Sequence, residues 1–455
     1  MLTCRWLLVS RGKVVPLDNT ASAVGGATLA KATWRLIPFM FVLYIVSFLD
    51  RVNVGFAALQ MNEDLGFSGT VYGLGAGIFF IGYFLFEVPS NLILERVGAR
   101  VWIARIMITW GVISAAMFLV QGPVSFYVLR FLLGFAEAGF FPGIILYLTY
   151  WFPARERARR VALFMAAIPI AGVIGSPLSG ALLTLNGLGG LAGWQIMFLA
   201  EGLPAVILGF VVLRYLPNGP GDAGWLESEE RDWLRNALER ENRIKSSHGE
   251  YTMRRVMSDG NVWLLCGVYF GVVTSVYGVS FWLPLITRDL SGLGDFAVGL
   301  LGAIPYAAGV IGMLFFARHS DATGERRWHV AVGAFVAMVG LILTGATDLP
   351  AVEMAALTLA SLGIYSTLAT FWSLPTAFLS GTAAAAGIAL INSVGNLGGF
   401  VGPYVVGYLS DVTGSFYAGL LLLAALMLLA GILALVARHE RGLEEVEEVV
   451  APMSG

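Results

Sequence analysis

Charge is what this sequence has least of. Only 13% of its 455 residues are Asp, Glu, Lys or Arg, against about 25% in a typical soluble domain. So few charges cannot cover the surface of a water-soluble chain this long, which excludes a soluble enzyme and a disordered chain alike. Cysteine is almost missing: Cys4 and Cys266 sit in different contexts and give no disulfide framework. Histidine is scarce as well. His248, His319, His329 and His439 fall in loops, at helix ends or in the tail, without the spacing of metal ligands. No nucleotide-binding loop is present. No metal, cofactor or nucleic-acid partner is therefore expected, and a membrane enzyme is a poor fit. A signalling receptor fits no better, because no soluble output domain is present.

What the chain does have is hydrophobic length, with 57% apolar residues. A bilayer offers the backbone no water to bond, so a spanning helix needs about 20 mostly apolar residues. Windows of that kind fall at 34–56, 72–94, 101–121, 124–150, 161–185, 194–215, 261–287, 296–317, 328–347, 351–373, 384–409 and 416–437. They do not alternate, which excludes a membrane barrel. The expected fold class is an all-α polytopic membrane protein with 12 transmembrane helices. A small polar tail (1–33) precedes them and an acidic tail (438–455) follows. With the N-terminus inside, 25 of the 28 Lys and Arg fall on the cytoplasmic side. This predicts a multi-pass protein of the cell membrane with both termini cytoplasmic.

The polar stretch 216–260 divides the spans into six and six, giving a first bundle at 34–215 and a second at 261–437. A short amphipathic helix is expected in the linker, starting near Ser228 with Trp233, Leu234 and Leu238 on one face. An offset of 226 residues lays Gly73-Leu74 on Gly299-Leu300, Glu95, Gly98 and Arg100 on Asp321, Gly324 and Arg326, and Gly172 and Pro177 on Gly398 and Pro403. One offset serving three separated segments indicates two parallel six-helix repeats, the plan of carriers that rock two halves about a midplane site.

An ionisable group inside a membrane helix is costly and is a functional candidate by default. Asp50, Arg51, Glu87, Arg130, Glu137 and Glu201 qualify, all in the first half. The second half offers Tyr277, Trp282, Tyr306, Trp372, Ser373, Asn392 and Asn396 instead. Arg130 and Glu137 are seven apart and share a helix face, about 10.5 Å apart along the axis. Asp50 and Arg51 are adjacent and point about 100° apart. Where the first and fourth helices touch, Asp50 is expected to pair with Arg130 and Arg51 with Glu137. Two acids and two bases then balance without a ligand. An entering carboxylate adds one negative charge and protonating an acid removes one, which is the electrostatic logic of anion–proton symport. Glu87 is expected to pair with loop arginines, and Glu201 to make a helix-start or gate contact.

Two loop segments resemble the cytoplasmic motif of the major facilitator superfamily: Asn91-Leu-Ile-Leu-Glu95-Arg96-Val-Gly98-Ala-Arg100 and Ala317-Arg-His-Ser-Asp321-Ala-Thr-Gly324-Glu-Arg326. Both depart from the family pattern, with Asn91 and Ala317 where Gly is usual and Glu95 where Asp is usual. The resemblance implies a gate in which Glu95, Arg96 and Arg100, with Asp321 and Arg326, link helices and hold the cytoplasmic side shut. Gly98 and Gly324 would make the tight turns. Leu49-Asp50-Arg51-Val52-Asn53, Phe86-Glu87-Val88-Pro89-Ser90-Asn91, Arg130-Phe131-Leu132-Leu133-Gly134-Phe135-Ala136-Glu137 and Phe281-Trp282-Leu283-Pro284 narrow the likeness further. From about 34 to 437 the chain resembles the anion:cation symporter family, including its tartrate, phthalate and hydroxyphenylacetate carriers.

That resemblance implies that Arg51 binds a substrate carboxylate and that Asp50 and Glu137 take part in proton coupling. Tyr44 and Tyr83 would line one side of the pocket, with Trp372, Asn392 and Asn396 opposite. Arg130 is added as a second candidate anion ligand. The expected partners are a small organic carboxylate, protons and the lipid bilayer, with the carrier acting as a monomer. An antiporter or exporter on the same fold is the alternative, since Gly172-x-x-Gly175-Ser176-Pro177-x-x-Gly180 resembles a motif linked to antiporters.

Overall fold

The computed structural model describes residues 9–10, 13–14, 19–247, 257–346, 349–378 and 381–437. The terminal tails expected at 1–33 and 438–455 thus lie partly and wholly outside the described residues. A two-residue antiparallel pair, Val9–Ser10 with Lys13–Val14, precedes the helices.

The first half contains α1 (Asn19–Leu65), α2 (Gly69–Val97), α3 (Ala99–Ala116), α4 (Pro123–Glu137), α5 (Phe140–Thr149), α6 (Ala154–Met165), α7 (Ala167–Leu183) and α8 (Gly193–Tyr215). The linker contributes α9 (Ser228–Ser247). The second half contains α10 (Gly260–Ser291), α11 (Asp295–Thr323), α12 (Arg327–Leu343), α13 (Pro350–Phe371), α14 (Ser373–Phe378), α15 (Gly381–Thr413) and α16 (Tyr417–Val436). Each of the twelve apolar windows is helical, but three are broken in two. α4 and α5 share the fourth window, α6 and α7 the fifth, and α13 and α14 the tenth. The break in the fourth falls at Gly139, whose φ of +85° suits a residue without a Cβ. That position leaves Glu137 as the last residue of α4.

Helix α1 starts well before the predicted first span. The Ala-rich stretch from Ala27 to Ala32 favours helix, and α9 rests on this extension. Trp233 packs on Gly25, Leu234 is fully buried, and Lys31 pairs with Glu230 at 2.8 Å.

Turns at Gly98 (φ +95°) and Gly324 (φ +64°) mark one end of the bundle, here termed the near end. Turns at Gly66, Gly292 and Gly414 mark the far end. The halves meet along α2 and α15, along α7 and α11, and along α1 and α10. Glycines make the first two seams close. Gly73 lies against the Pro403 carbonyl and Gly299 against the Ser176 carbonyl, with no room for a Cβ at either. These two contacts are near-copies of each other at the 226-residue offset. Further bonds seal the far end: the Gly69 and Thr70 amides donate to Asp411 at 2.8 and 2.7 Å, Gln60 Nε2 donates to Asp295 at 2.6 Å, and Arg288 donates to the Leu59 carbonyl at 2.6 Å.

Candidate binding cavity and its charged wall

A cavity lies between the halves at mid-level. Tyr44, Phe48 and Arg51 of α1, Phe80 and Tyr83 of α2, and Phe141 of α5 form one wall. Tyr269, Val273, Val276 and Tyr277 of α10 and Asn392 and Asn396 of α15 form the other. The two amides are four apart, so one helical face presents both. The walls are mostly apolar with a few convergent polar groups, which is the usual make-up of a small-molecule site.

Arg51 is the charge in this lining. It is 6% exposed and lies between the rings of Phe79 and Tyr83, each centred 5.3 Å from its guanidinium carbon. One terminal nitrogen donates to the Tyr277 hydroxyl at 2.9 Å. The other donates to Glu137 Oε1, with which it forms a salt bridge. Ser47, one helical turn before Arg51, donates to the same oxygen at 2.8 Å. The Arg51 Nε and Glu137 Oε2 are buried with no partner in the structure. A guanidinium with a spare donor therefore faces a carboxylate with a spare acceptor, and neither is saturated.

The expected Arg51–Glu137 pair forms; the expected Asp50–Arg130 pair does not. Adjacent residues on α1 cannot both face α4, and Arg51 takes that direction. Asp50 turns to α3, where Trp110 Nε1 and Ser114 Oγ donate to its two oxygens, each at 2.8 Å. Arg130 turns to α2. It donates to the Gly75 and Ala76 carbonyls at 3.3 and 3.0 Å and lies over the rings of Phe79 and Phe281. It is fully buried and outside the cavity lining.

Other expected positions are also revised. Glu87 does not reach the loop arginines, since Arg96 is nine residues on, about 13 Å along the helix. It crosses to the second half and accepts from Asn392 Nδ2 at 2.7 Å and Asn396 Nδ2 at 3.5 Å. Glu201 is buried and accepts from Ser179 Oγ at 2.7 Å. Trp372 packs edge-on against Tyr269, with ring centroids 4.8 Å apart, so it supports the lining from behind. Asp321 pairs with Arg326 at 2.5 Å inside its own turn rather than between helices. Glu95, Arg96 and Arg100 are exposed, and the Arg100 amide donates to Asn218 Oδ1 at 3.1 Å.

Ser47, Trp110 and Ser114 carry no charge and are not singled out by the sequence, and Tyr277 stands there only as a polar group of the second half. Tyr277 had a signal: it stands 226 residues after Arg51, its counterpart in the repeat. Counterparts near a pseudo-two-fold axis meet across it, and these two do.

Twelve apolar spans in two matched groups around a buried, charged cavity define a polytopic membrane protein built like a carrier. Residues 40–403 match the Major Facilitator Superfamily, and the chain belongs to that family. A protein of Agrobacterium vitis named as a tartrate transporter is 56% identical over 409 residues, covering 90% of this chain and 94% of that one. A quinolone resistance transporter of Acinetobacter baumannii is 44% identical, covering 92% and 98%. Among solved structures, a bacterial homologue of the human lysosomal transporter Spinster, inward-facing and occupied, has a TM-score of 0.71 at 16% identity, covering 88% of this chain and 96% of that one. That likeness concerns the fold alone.

Proposed function

We propose that the protein is a proton-coupled secondary transporter that imports a small organic carboxylate by alternating access and performs no chemical reaction. The observation that carries the reading is Arg51: a buried guanidinium in the cavity lining, held by Glu137 but left with an unpartnered Nε. An arriving carboxylate competes with Glu137 for the guanidinium. Glu137 then keeps only the Ser47 hydroxyl on one oxygen and nothing on the other. A carboxylate in that position is stabilised by taking a proton. Substrate and proton thus enter together, and the charge of the cavity stays constant.

Asp50, surrounded by neutral donors on α3, is assigned to the same coupling at a site behind α1. Tyr44 and Tyr83 flank the substrate, with Asn392 and Asn396 on the opposite wall. Arg130 braces α2 and α4 and does not bind substrate. We place the protein in the cell membrane as a monomer with both termini cytoplasmic, its bundles at 34–215 and 261–437 joined by the linker at 216–260. On this reading the bonded far end is external, and its bonds support an inward-facing state. The gate segments around Gly98 and Gly324 close in the opposite state. The name of the Agrobacterium vitis relative makes tartrate the first substrate to test.

The name of the Acinetobacter baumannii relative favours a second reading, an exporter or antiporter. The Gly172–Gly180 segment adds little to it, because its glycines serve packing: Gly172 lies on Tyr306 and Gly180 on Gly299. Proteoliposomes distinguish the two. Uptake of labelled tartrate driven by an inward proton gradient and abolished by a protonophore is the expected result, and uptake driven only by an outward proton gradient is the exporter's. Arg51→Ala is expected to lower uptake by about 10²-fold or more, the scale for deleting one partner of a buried charge pair. Undiminished uptake by that variant would remove the carboxylate clamp.

A further inference from the structure

Glu87 has no role in the mechanism above, yet its position is unusual. It is 5% exposed, and both its oxygens are bonded across the seam to the other half. The partners are the two amides that line the cavity. Around it stand Arg51 from α1, Tyr83 from its own helix and Tyr269 from α10. Arg51 is the cation of this group, and it is bonded to Glu137. Among the described residues Glu87 therefore has no ion-pair partner of its own.

The chemistry of amides matters here. An arginine donates only, so it holds a carboxylate and disfavours the acid. An asparagine both donates and accepts. Its N–H binds the ionised form, and its carbonyl accepts from the protonated form once the amide turns. Asn392 and Asn396 can thus satisfy Glu87 in either charge state. A buried carboxyl without an ion-pair partner of its own, and with partners indifferent to its charge, is suited to titrate rather than to brace.

Position along the bundle adds to this. Glu87 lies 18 residues from the start of α2 at the far end, and Arg51 lies 14 residues from the end of α1 at the same far end. Glu87 is therefore about 6 Å closer to the near end along the axis.

We propose that Glu87 is a further proton-carrying carboxyl of the transport cycle, and that its bridge to Asn392 and Asn396 ties its charge state to the movement of one half against the other. This rests on the carboxylate–proton reading given above. One more titrating acid means one more proton per substrate molecule.

The test is the number of protons moved per tartrate, read from reversal potentials of the reconstituted full-length protein. Glu87→Gln is expected to move about one proton fewer than the wild type, and Glu87→Asp, which keeps the carboxyl, the wild-type number. A number lowered alike in both variants would mark Glu87 as structural and overturn the proposal. An unchanged number in Glu87→Gln overturns it while leaving the carboxylate–proton reading intact. Wild-type uptake indifferent to a proton gradient overturns both. Should Glu87→Gln fail to insert, proton uptake on adding tartrate to the purified protein is read against pH in Glu87→Asp, whose shorter side chain draws the carboxyl back from the two amides. A shifted midpoint with the same number is expected, and an unmoved midpoint overturns the proposal.

Discussion

The two halves share one scaffold and differ in what they bury. At the level of the membrane the first half holds Asp50, Arg51, Glu87, Arg130, Glu137 and Glu201. The second presents two phenols, two amides and aliphatic side chains to the same cavity. Its buried charge among the described residues is Glu353, in the first turn of α13. The glycine seams are nearly symmetric, with Gly73 on Pro403 and Gly299 on Ser176, whereas the chemistry is not. Arg51 and its repeat counterpart Tyr277 are bonded to each other and have opposite characters, a fixed cation and a neutral hydroxyl. The contrast separates two demands on a duplicated carrier. Rocking needs two similar bodies, and handling charge needs only one of them to carry it. Concentrating charge on one side also avoids opposing like charges across a moving interface.

The sharpest way to break this contrast is at Glu137. Glu137→Gln keeps an acceptor for Ser47 and Arg51 but cannot take a proton. Net uptake of tartrate is expected to fall by about 10²-fold, the lower range for loss of a positioned proton-transfer group, while exchange of internal for external tartrate continues. Loss of both activities would make Glu137 a brace for Arg51 rather than a proton carrier.

The counterpart in the neutral half should matter less. Tyr277→Phe removes one acceptor from Arg51 and keeps the ring contacts with Phe80 and Phe281. The KM for tartrate is expected to rise about 3–10-fold, corresponding to about 1 kcal/mol for one hydrogen bond. An effect as large as that of Arg51→Ala would show that the second half handles charge as well.

How much of this was legible beforehand differs by level. Twelve spans and the duplication followed from apolar length and one offset, because membrane helices must satisfy their own backbone bonds. The breaks at Gly139, Ala166 and Trp372 were not visible, because each falls inside a continuous apolar window and apolar length does not register a local turn. Among the charges, Arg51 with Glu137 followed from α1 meeting α4, but Asp50 and Arg130 did not. Their partners are a tryptophan, a serine and two backbone carbonyls, which no charge-matching rule selects. Sequence proximity pairs Glu87 with nearby arginines, whereas its partners come from α15, 305 and 309 residues away. Charge in an apolar run marked which groups are buried more reliably than charge balance marked their partners.

The smallest expected effect is at the surface, where the linker meets the first half. Lys31 and Glu230 form a pair at 2.8 Å, with the lysine side chain 39% exposed. The hydrogen bond from Lys31 holds the Glu230 carboxyl below its ordinary value of 4.5. A depressed carboxyl contributes stability above its ordinary pKa and loses it as pH falls through the lower folded-state value. Screening by water limits the pair to about 0.5 kcal/mol, which for a chain of this size corresponds to about 1 °C in Tm. Glu230→Gln should therefore melt slightly earlier than the wild type at pH 7, and the gap should close below about pH 4. Tartrate KM should stay unchanged, because α9 is anchored chiefly by the buried Leu234 and by Trp233 against α1, and none of its residues lines the cavity. A change in KM here would mean that the linker helix senses the movement of the first half, and the division between a charged transport half and a passive support would have to be redrawn.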